Sequence, residues 1–397
     1  MPHMTDLREP LARYAALLHA TAGGQHHVAS PLGAWLLAAL CAPAADGVIA
    51  DELARALGVD LAGARKAATA LLDDPHPAVL SAAALWLAKA PTPAVDAWLA
   101  ALPDSVETGP LPSQADADRW ADEHTLGLIK RFPVALTHDT LLVLATALAT
   151  KVTWDRRFDL APAARLGAAS PWRDVVDQVL EAPADEAFIA RVPGIGEVAV
   201  HTAVAAEGMR VTSVIGPADV RPVELITAAH RLTHGAVDRR SLFDLPLGEG
   251  PLWTITEERV GTTAPGGREE RYRAVLPAWS ARSRHDLDRP ELGIPAAAAA
   301  AKHALRWPQA VYEAAQSAMA SYSREGFEAA AVSAMVLTRG APPGQDGLRR
   351  TAELRFGHPY AVVAVADRPQ RPHSTAGAAW DGLPVFSAWV AEPSNAA

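Results

Sequence analysis

With 397 residues, half of them apolar and 20% charged, the chain has ample material for a large core and lacks the composition of a disordered protein. A net charge of -9, from 36 Lys and Arg against 45 Asp and Glu, leaves no basic excess to neutralise a phosphate backbone and argues against a nucleic-acid partner. The single cysteine, Cys41, excludes an internal disulfide framework and any zinc site built from several thiolates.

The opening residues MPHMTDLREP carry neither the basic start nor the apolar stretch of a leader, and no apolar run reaches about 18 residues. A cytoplasmic chain without membrane contact is the expectation. A period near 3.6 then predicts helices within 7–20, 30–44, 50–58 and 61–74. Ser30 supplies an N-cap hydroxyl and Pro31 a first-turn residue with no N–H, so a buried helix should start there. Cys41, inside that apolar helix, reads as a small buried hydrophobe. Further on, 79–90 and 141–154 are rich in β-formers or long apolar runs, with an amphipathic helix over 113–129 between them. Beyond residue 190 strands dominate, at 196–204, 208–216, 252–260, 268–279, 353–366 and 383–393. Gly266 and Gly267 are predicted as the turn of a hairpin. Helices first and strands later, without βαβ alternation or an evident linker, indicate an α+β fold in one domain over 1–397.

Within 141–154, Leu142, Leu144, Thr146, Leu148, Thr150, Val152 and Trp154 share one face, and Val143, Ala145, Ala147, Ala149, Lys151 and Thr153 the other. Neither face is polar enough for solvent, and the alanine side implies a close neighbour. The segment is predicted as one long central strand covered on both sides, with Trp154 in the core. Catalytic signals are sparse. His230 and His234 stand four apart on a predicted helix without a supporting third ligand, His26 and His27 lie in a loop, and Gly194 and Gly196 lack the rest of a dinucleotide motif and read as a turn. No nucleophile elbow, Walker loop or zinc-protease motif is present, and nothing in the spacing favours His201 or His358 as a catalytic base. No cofactor and no metal are expected.

The segments 30–40, 50–58, 118–132, 141–158, 275–287, 323–334 and 356–365 are similar in order and spacing to those of the serpins, so the chain resembles that family over nearly its whole length. The resemblance implies an α+β architecture of three β-sheets with about nine helices and a reactive-centre-type loop. It also implies a monomer that needs no cofactor, and places the chain among bacterial serpin-like proteins. Glu325, Gly326, Phe327, Glu328, Ala329, Ala330 and Ala331 correspond to the hinge, and the usual spacing puts the attacked bond near Gly340-Ala341, with Arg339 one residue earlier. Ser30, Gly33, Thr146 and Gln316 correspond to a polar gate beneath the main sheet in which only Ser30 is kept; a second Ser, an Asn and a His are the usual residues at the other three. His26 replaces another usual Asn. Lys151 and Trp154 correspond to the top of the central strand.

The tract 327–338 is small or apolar and almost uncharged, a strand-pairing hazard unless it enters a sheet. Twelve residues at about 3.3 Å each would insert over roughly 40 Å, with Ala329, Ala331, Ser333, Met335 and Leu337 facing inward. Phe327 breaks the small-residue pattern and should overpack by about 1 to 3 kcal/mol. By resemblance the function is suicide inhibition of a serine protease, trypsin-like or subtilisin-like. Arg349 and Arg350 are further candidate cleavage sites in a connection longer than usual. The alternative is a serpin-shaped protein that no longer inhibits and instead binds a small molecule or peptide, or has acquired an enzymatic step.

Overall fold

The computed structural model describes residues 6–182, 186–205, 207–235, 237–327, 345–368 and 377–396. The N-terminal third folds into α1 (Arg8–Ala20), β1 (His27–Ala29), α2 (Pro31–Ala39), α3 (Gly47–Leu57) and α4 (Leu61–Asp73). The mixed region follows as β2 (Leu80–Leu87), α5 (Pro93–Leu99), β3 (Glu107–Pro110), α6 (Gln114–His124), β4 (Leu142–Ala149) and β5 (Val152–Thr153). Then come β6 (Asp159–Pro162), β7 (Gln178–Ala182), β8 (Ala187–Val192), β9 (Gly196–Ala205), β10 (Met209–Ile215), α7 (Pro222–Leu232), β11 (Gly248–Glu249), β12 (Trp253–Thr262), β13 (Arg268–Leu276) and β14 (Trp279–Asp286). The chain closes with α8 (Ile294–Leu305), β15 (Ala315–Tyr322), β16 (Gly326–Phe327), β17 (Gln345–Arg355), β18 (Tyr360–Ala366) and β19 (Leu383–Val390).

The strands form groups ordered β1-β19-β18-β10-β9-β8, β11-β12-β17-β13-β7-β6, β14-β15-β16-β5 and β3-β2-β4. The last two are halves of one main sheet, continuous in chain through β4 and β5. Apolar burial explains the layout. Every residue of β18 and β19 is buried, and the core they share with α2 runs in one cluster from Leu7 to Ala396. Ser30 caps α2 by accepting from the Gly33 N–H at 3.1 Å, with Pro31 in the first turn. The Gly194–Gly196 segment is the turn between β8 and β9, with both glycines at positive φ.

Three expectations change. The run 141–154 is two strands, because the chain breaks at Thr150 and Lys151, where the Thr150 hydroxyl donates to the Ala78 carbonyl at 2.6 Å. Its two faces are as read: Val143, Ala145 and Ala147 pack with Trp120, Ala121 and Phe132 around α6, and Leu142, Leu144 and Leu148 pack on the main core. β4 is an edge of its hydrogen-bonded group, not a central strand.

The second change concerns Gly266 and Gly267. They do turn the chain between β12 and β13, but the two arms are not paired with each other: β17 lies between them, antiparallel to β12 and parallel to β13. The turn signal fixes where the chain reverses and carries no information about a strand arriving from far downstream.

The third follows from the second. Arg349 and Arg350 lie inside β17, bonded on both sides, with Arg349 paired to Glu258 and Glu269 and Arg350 to Glu257. A protease needs an accessible extended loop, and a strand held at both edges does not offer one.

Candidate functional site

The main sheet is parted. β4 is bonded to β2 alone, β15 is bonded along its length to β14 alone, and among the described residues no strand joins β4 to β15 below the level of Phe327. Between them lies a cavity of about 120 Å³, walled by Leu144, Thr146 and Leu148 on one side and Gln316 and Ala318 on the other. It continues downward beside a wider groove of about 840 Å³, lined by Leu37, Leu142, Ile294, Trp307 and Tyr312 among others. Unpaired strand edges over an apolar floor form a slot with the chemistry to accept another strand.

Beneath the slot, Ser30, Gly33, Thr146 and Gln316 come together. The Gln316 side-chain amide bridges both backbone groups of Ser30: its Oε1 accepts from the Ser30 N–H at 2.9 Å and its Nε2 donates to the Ser30 carbonyl at 2.9 Å. The Ser30 hydroxyl donates to the Val385 carbonyl at 2.8 Å, and the Thr146 hydroxyl donates to the Gly33 carbonyl at 2.9 Å. A Cβ at Gly33 would stand 3.1 Å from Ser30 Oγ and 3.3 Å from Leu148, so the glycine leaves room for the others. The altered set thus has its polar groups paired, and the penalty of a half-satisfied buried network does not arise.

At the head of the slot, β15 ends at Tyr322 and the chain turns back through Ser323, whose N–H donates to the Gly326 carbonyl at 3.0 Å. β16 then enters between β15 and β5: Phe327 stands opposite Tyr322 on one side and Val152 on the other, and Gly326 opposite Thr153. The Phe327 side chain is 3% exposed, edge-on to Trp279 at 6.3 Å. The ring thus packs onto an aromatic floor at the head of the slot. Trp279 stacks on Tyr322 at 6.1 Å, and Tyr322 in turn meets Phe158 at 5.7 Å and Trp154 at 5.0 Å. Sequence reasoning missed Trp279, Tyr322 and Phe158. The available signal was their aromatic character at strand ends, but nothing local says that these ends meet beside Gly326 and Phe327.

Trp154 is buried and its indole N–H donates to the Ser323 carbonyl at 3.0 Å, while its backbone N–H donates to the Glu325 carbonyl at 3.1 Å. Arg157 pairs with the Glu325 carboxylate at 2.6 Å. Lys151 is exposed at the break between β4 and β5. Glu328, Ala329, Ala330 and Ala331, and the candidate cleavage residues Arg339, Gly340 and Ala341, lie outside the described residues.

Behind these four residues sits a buried histidine chain. The Ser387 hydroxyl meets His19 Nε2 at 2.6 Å, His19 Nδ1 meets His27 Nε2 at 2.6 Å, and His27 Nδ1 donates to the Gln25 carbonyl at 2.7 Å. That last bond fixes the tautomers: with both rings neutral, each N–H points one way along the chain. His285 donates to the Val28 carbonyl at 2.7 Å, two residues before Ser30. Burial lowers all four of His19, His27, His230 and His285, His27 to about 4 and His230 to about 3. For His19, His27 and His230 neighbouring histidines add to desolvation, because a proton on one ring opposes a proton on the next, whereas His285 is lowered by burial against the pull of its bond to Val28.

Among the described residues no three potential ligands gather as a metal site, and His230 is buried without a hydrogen-bond partner on either ring nitrogen. His201 is also buried and lowered to about 4 by desolvation. The Cys41 thiol is buried and pushed up to about 12, so it is protonated and unreactive at neutral pH.

An α+β chain whose largest sheet is parted over an apolar slot, with a turn feeding the head of that slot, belongs to a narrow structural class. The chain has the serpin fold. It superposes on Serpin48 of the insect Tenebrio molitor with a TM-score of 0.65 at 14% identity, covering 99% of this chain and 100% of that one. The native state of the thermophilic serpin tengpin gives 0.63 at 13% identity, over 97% and 94%. Human thyroxine-binding globulin in complex with thyroxine gives 0.63 at 13%, over 98% of each chain. At such identities the likeness speaks for the fold alone. No protein-family model and no curated protein sequence matches the chain. Among the described residues no helix is long and apolar enough to cross a membrane.

Proposed function

We propose that the protein is a protease inhibitor that acts once, as a suicide substrate. The observation that carries this reading is the slot: two strand edges left without partners, with Gly326 and Phe327 already seated at its head. A serine protease would attack the carbonyl of Arg339 or Gly340, forming an ester to its serine oxygen while the amine of the following residue leaves with a proton. The freed tract up to residue 338 would then enter between β4 and β15. Filling two open edges forms about a dozen backbone hydrogen bonds at roughly 1 kcal/mol each, a driving force on the order of 10 kcal/mol before apolar burial. Ala329, Ala331 and Ser333 suit the inward face that follows Phe327. Arg339 favours a trypsin-like target, whose specificity pocket carries a buried acid. Incubation with trypsin-like and subtilisin-like proteases should yield a covalent complex that survives boiling in SDS; rapid turnover to two fragments with free active protease rejects the reading.

A second reading is supported by the wider groove of about 840 Å³ and by the likeness to a thyroxine-bound globulin. In it the chain is a non-inhibitory binding protein for a small apolar ligand. Nicking the loop decides between them. A marked rise in unfolding temperature belongs to insertion, and an unchanged one to the binding protein.

A further inference from the structure

We propose that the β12–β13 arch is a clamp that keeps β17 in its sheet, so that the slot can be filled only after cleavage on the N-terminal side of Gln345. The consequence for the slot rests on the insertion reading above; the clamp itself does not.

The need for a clamp follows from chain length. If the intact chain entered the slot as far as residue 338, the eleven residues from 328 would descend about 35 Å. The head of the slot is also where β17 ends: Arg355 stands level with Val275, and β13 passes into β14 within three residues, at Trp279 opposite Tyr322. The seven chain steps from 338 to 345 reach at most about 25 Å. They cannot climb back even to the near end of β17, and Gln345 is its far end. Uncleaved insertion therefore requires most of β17 to leave its sheet.

Three features oppose that departure. First, β17 is bonded on both edges, to β12 from Trp253↔Leu354 to Thr262↔Gln345 and to β13 from Arg268↔Leu348 to Val275↔Arg355. Second, its two neighbours are consecutive strands of the chain, so the turn after Thr262 that joins them arches across it at Gly347. A Cβ there would lie 2.5 Å from the Gly267 carbonyl oxygen, leaving no side chain's width beneath the arch. Third, arginines of β17 are tied to both flanks. Arg349 bridges Glu258 of β12 and Glu269 of β13, each at 3.1 Å; Arg350 pairs with Glu257 at 2.8 Å and donates to the carbonyls of Leu242 and Leu245; Arg355 pairs with Glu249 at 2.8 Å. An edge strand could peel away one bond at a time. A strand under an arch must break both ladders and slide out lengthwise.

Two measurements on the unmodified protein test this. Hydrogen exchange on the intact chain should show the amides of 347–355 exchanging only through global unfolding; exchange as fast as that of the exposed loops overturns the clamp. Warming intact and loop-nicked protein side by side should leave the intact form at its original unfolding temperature while the nicked form rises. If both rise to the same value, β17 has been released and the clamp is refuted. If the nicked form does not rise, the insertion reading fails, and the exchange measurement still decides the clamp.

Discussion

Gln316 ties β15 to the start of α2 through one planar amide that answers both the N–H and the C=O of Ser30. Gln316→Ala should leave the Ser30 N–H without a partner, while the Ser30 carbonyl keeps the Ala34 N–H, and cost about 1 to 3 kcal/mol for the orphaned group. Urea unfolding measures this, and a loss under about 0.5 kcal/mol would contradict it. Gln316→Glu is more specific. An ionised carboxylate can accept from the Ser30 N–H but repels the Ser30 carbonyl, so its folded-state pKa is raised above the unfolded value of about 4.3. Relative to wild type, the variant should be most stable below that value and lose stability as the pH rises through it. Phe327→Ala removes a buried ring from the slot head and should cost about 3 to 5 kcal/mol, read from the same unfolding curves. The set Ser30, Gly33, Thr146 and Gln316 was legible through family resemblance. How a glutamine fills the place of a histidine was not, because the answer lies in backbone groups of a helix nearly three hundred residues away.

At the scale of elements, local signals named the pieces and often misjudged their neighbours. The alternation in β4 was readable, and so was the alanine face that lets α6 lie close. Its edge status was not, since it depends on where β15 stands. Likewise Gly266 and Gly267 announced a reversal, while the strand running between the arms left no local trace. Gly347 is the residue on which that arrangement turns. Gly347→Ala places a methyl against the Gly267 carbonyl and should cost about 1 to 3 kcal/mol by overpacking, with faster hydrogen exchange in β17 as the accompanying sign. An unchanged melting temperature would mean that the arch yields freely.

For the whole molecule, the buried histidines set the response to acid. In the unfolded chain each takes up a proton near pH 6.5, whereas in the folded protein His27 and His201 resist to about 4 and His230 to about 3. The unfolded state therefore binds more protons between those values. Stability should be flat above about pH 6.5 and fall as the pH drops toward 4, by up to about 1.4 kcal/mol per pH unit for each histidine held neutral. Denaturant midpoints at a series of pH values check this, and a flat profile down to pH 4.5 would refute it.

What the sequence determined by itself was local and one-dimensional: helix starts at capping residues, strand faces from alternation, reversals at glycines, and a tract too apolar to remain alone. Tertiary structure decided the rest: that the main sheet stands open, that an aromatic floor receives Phe327, and that β17 passes under an arch. The physical reason is common to all three. Periodicity reports which side of a segment seeks burial, but hydrogen-bonding edges carry no residue signature. Which edge finds a partner is settled only when distant segments compete for it in the packed molecule.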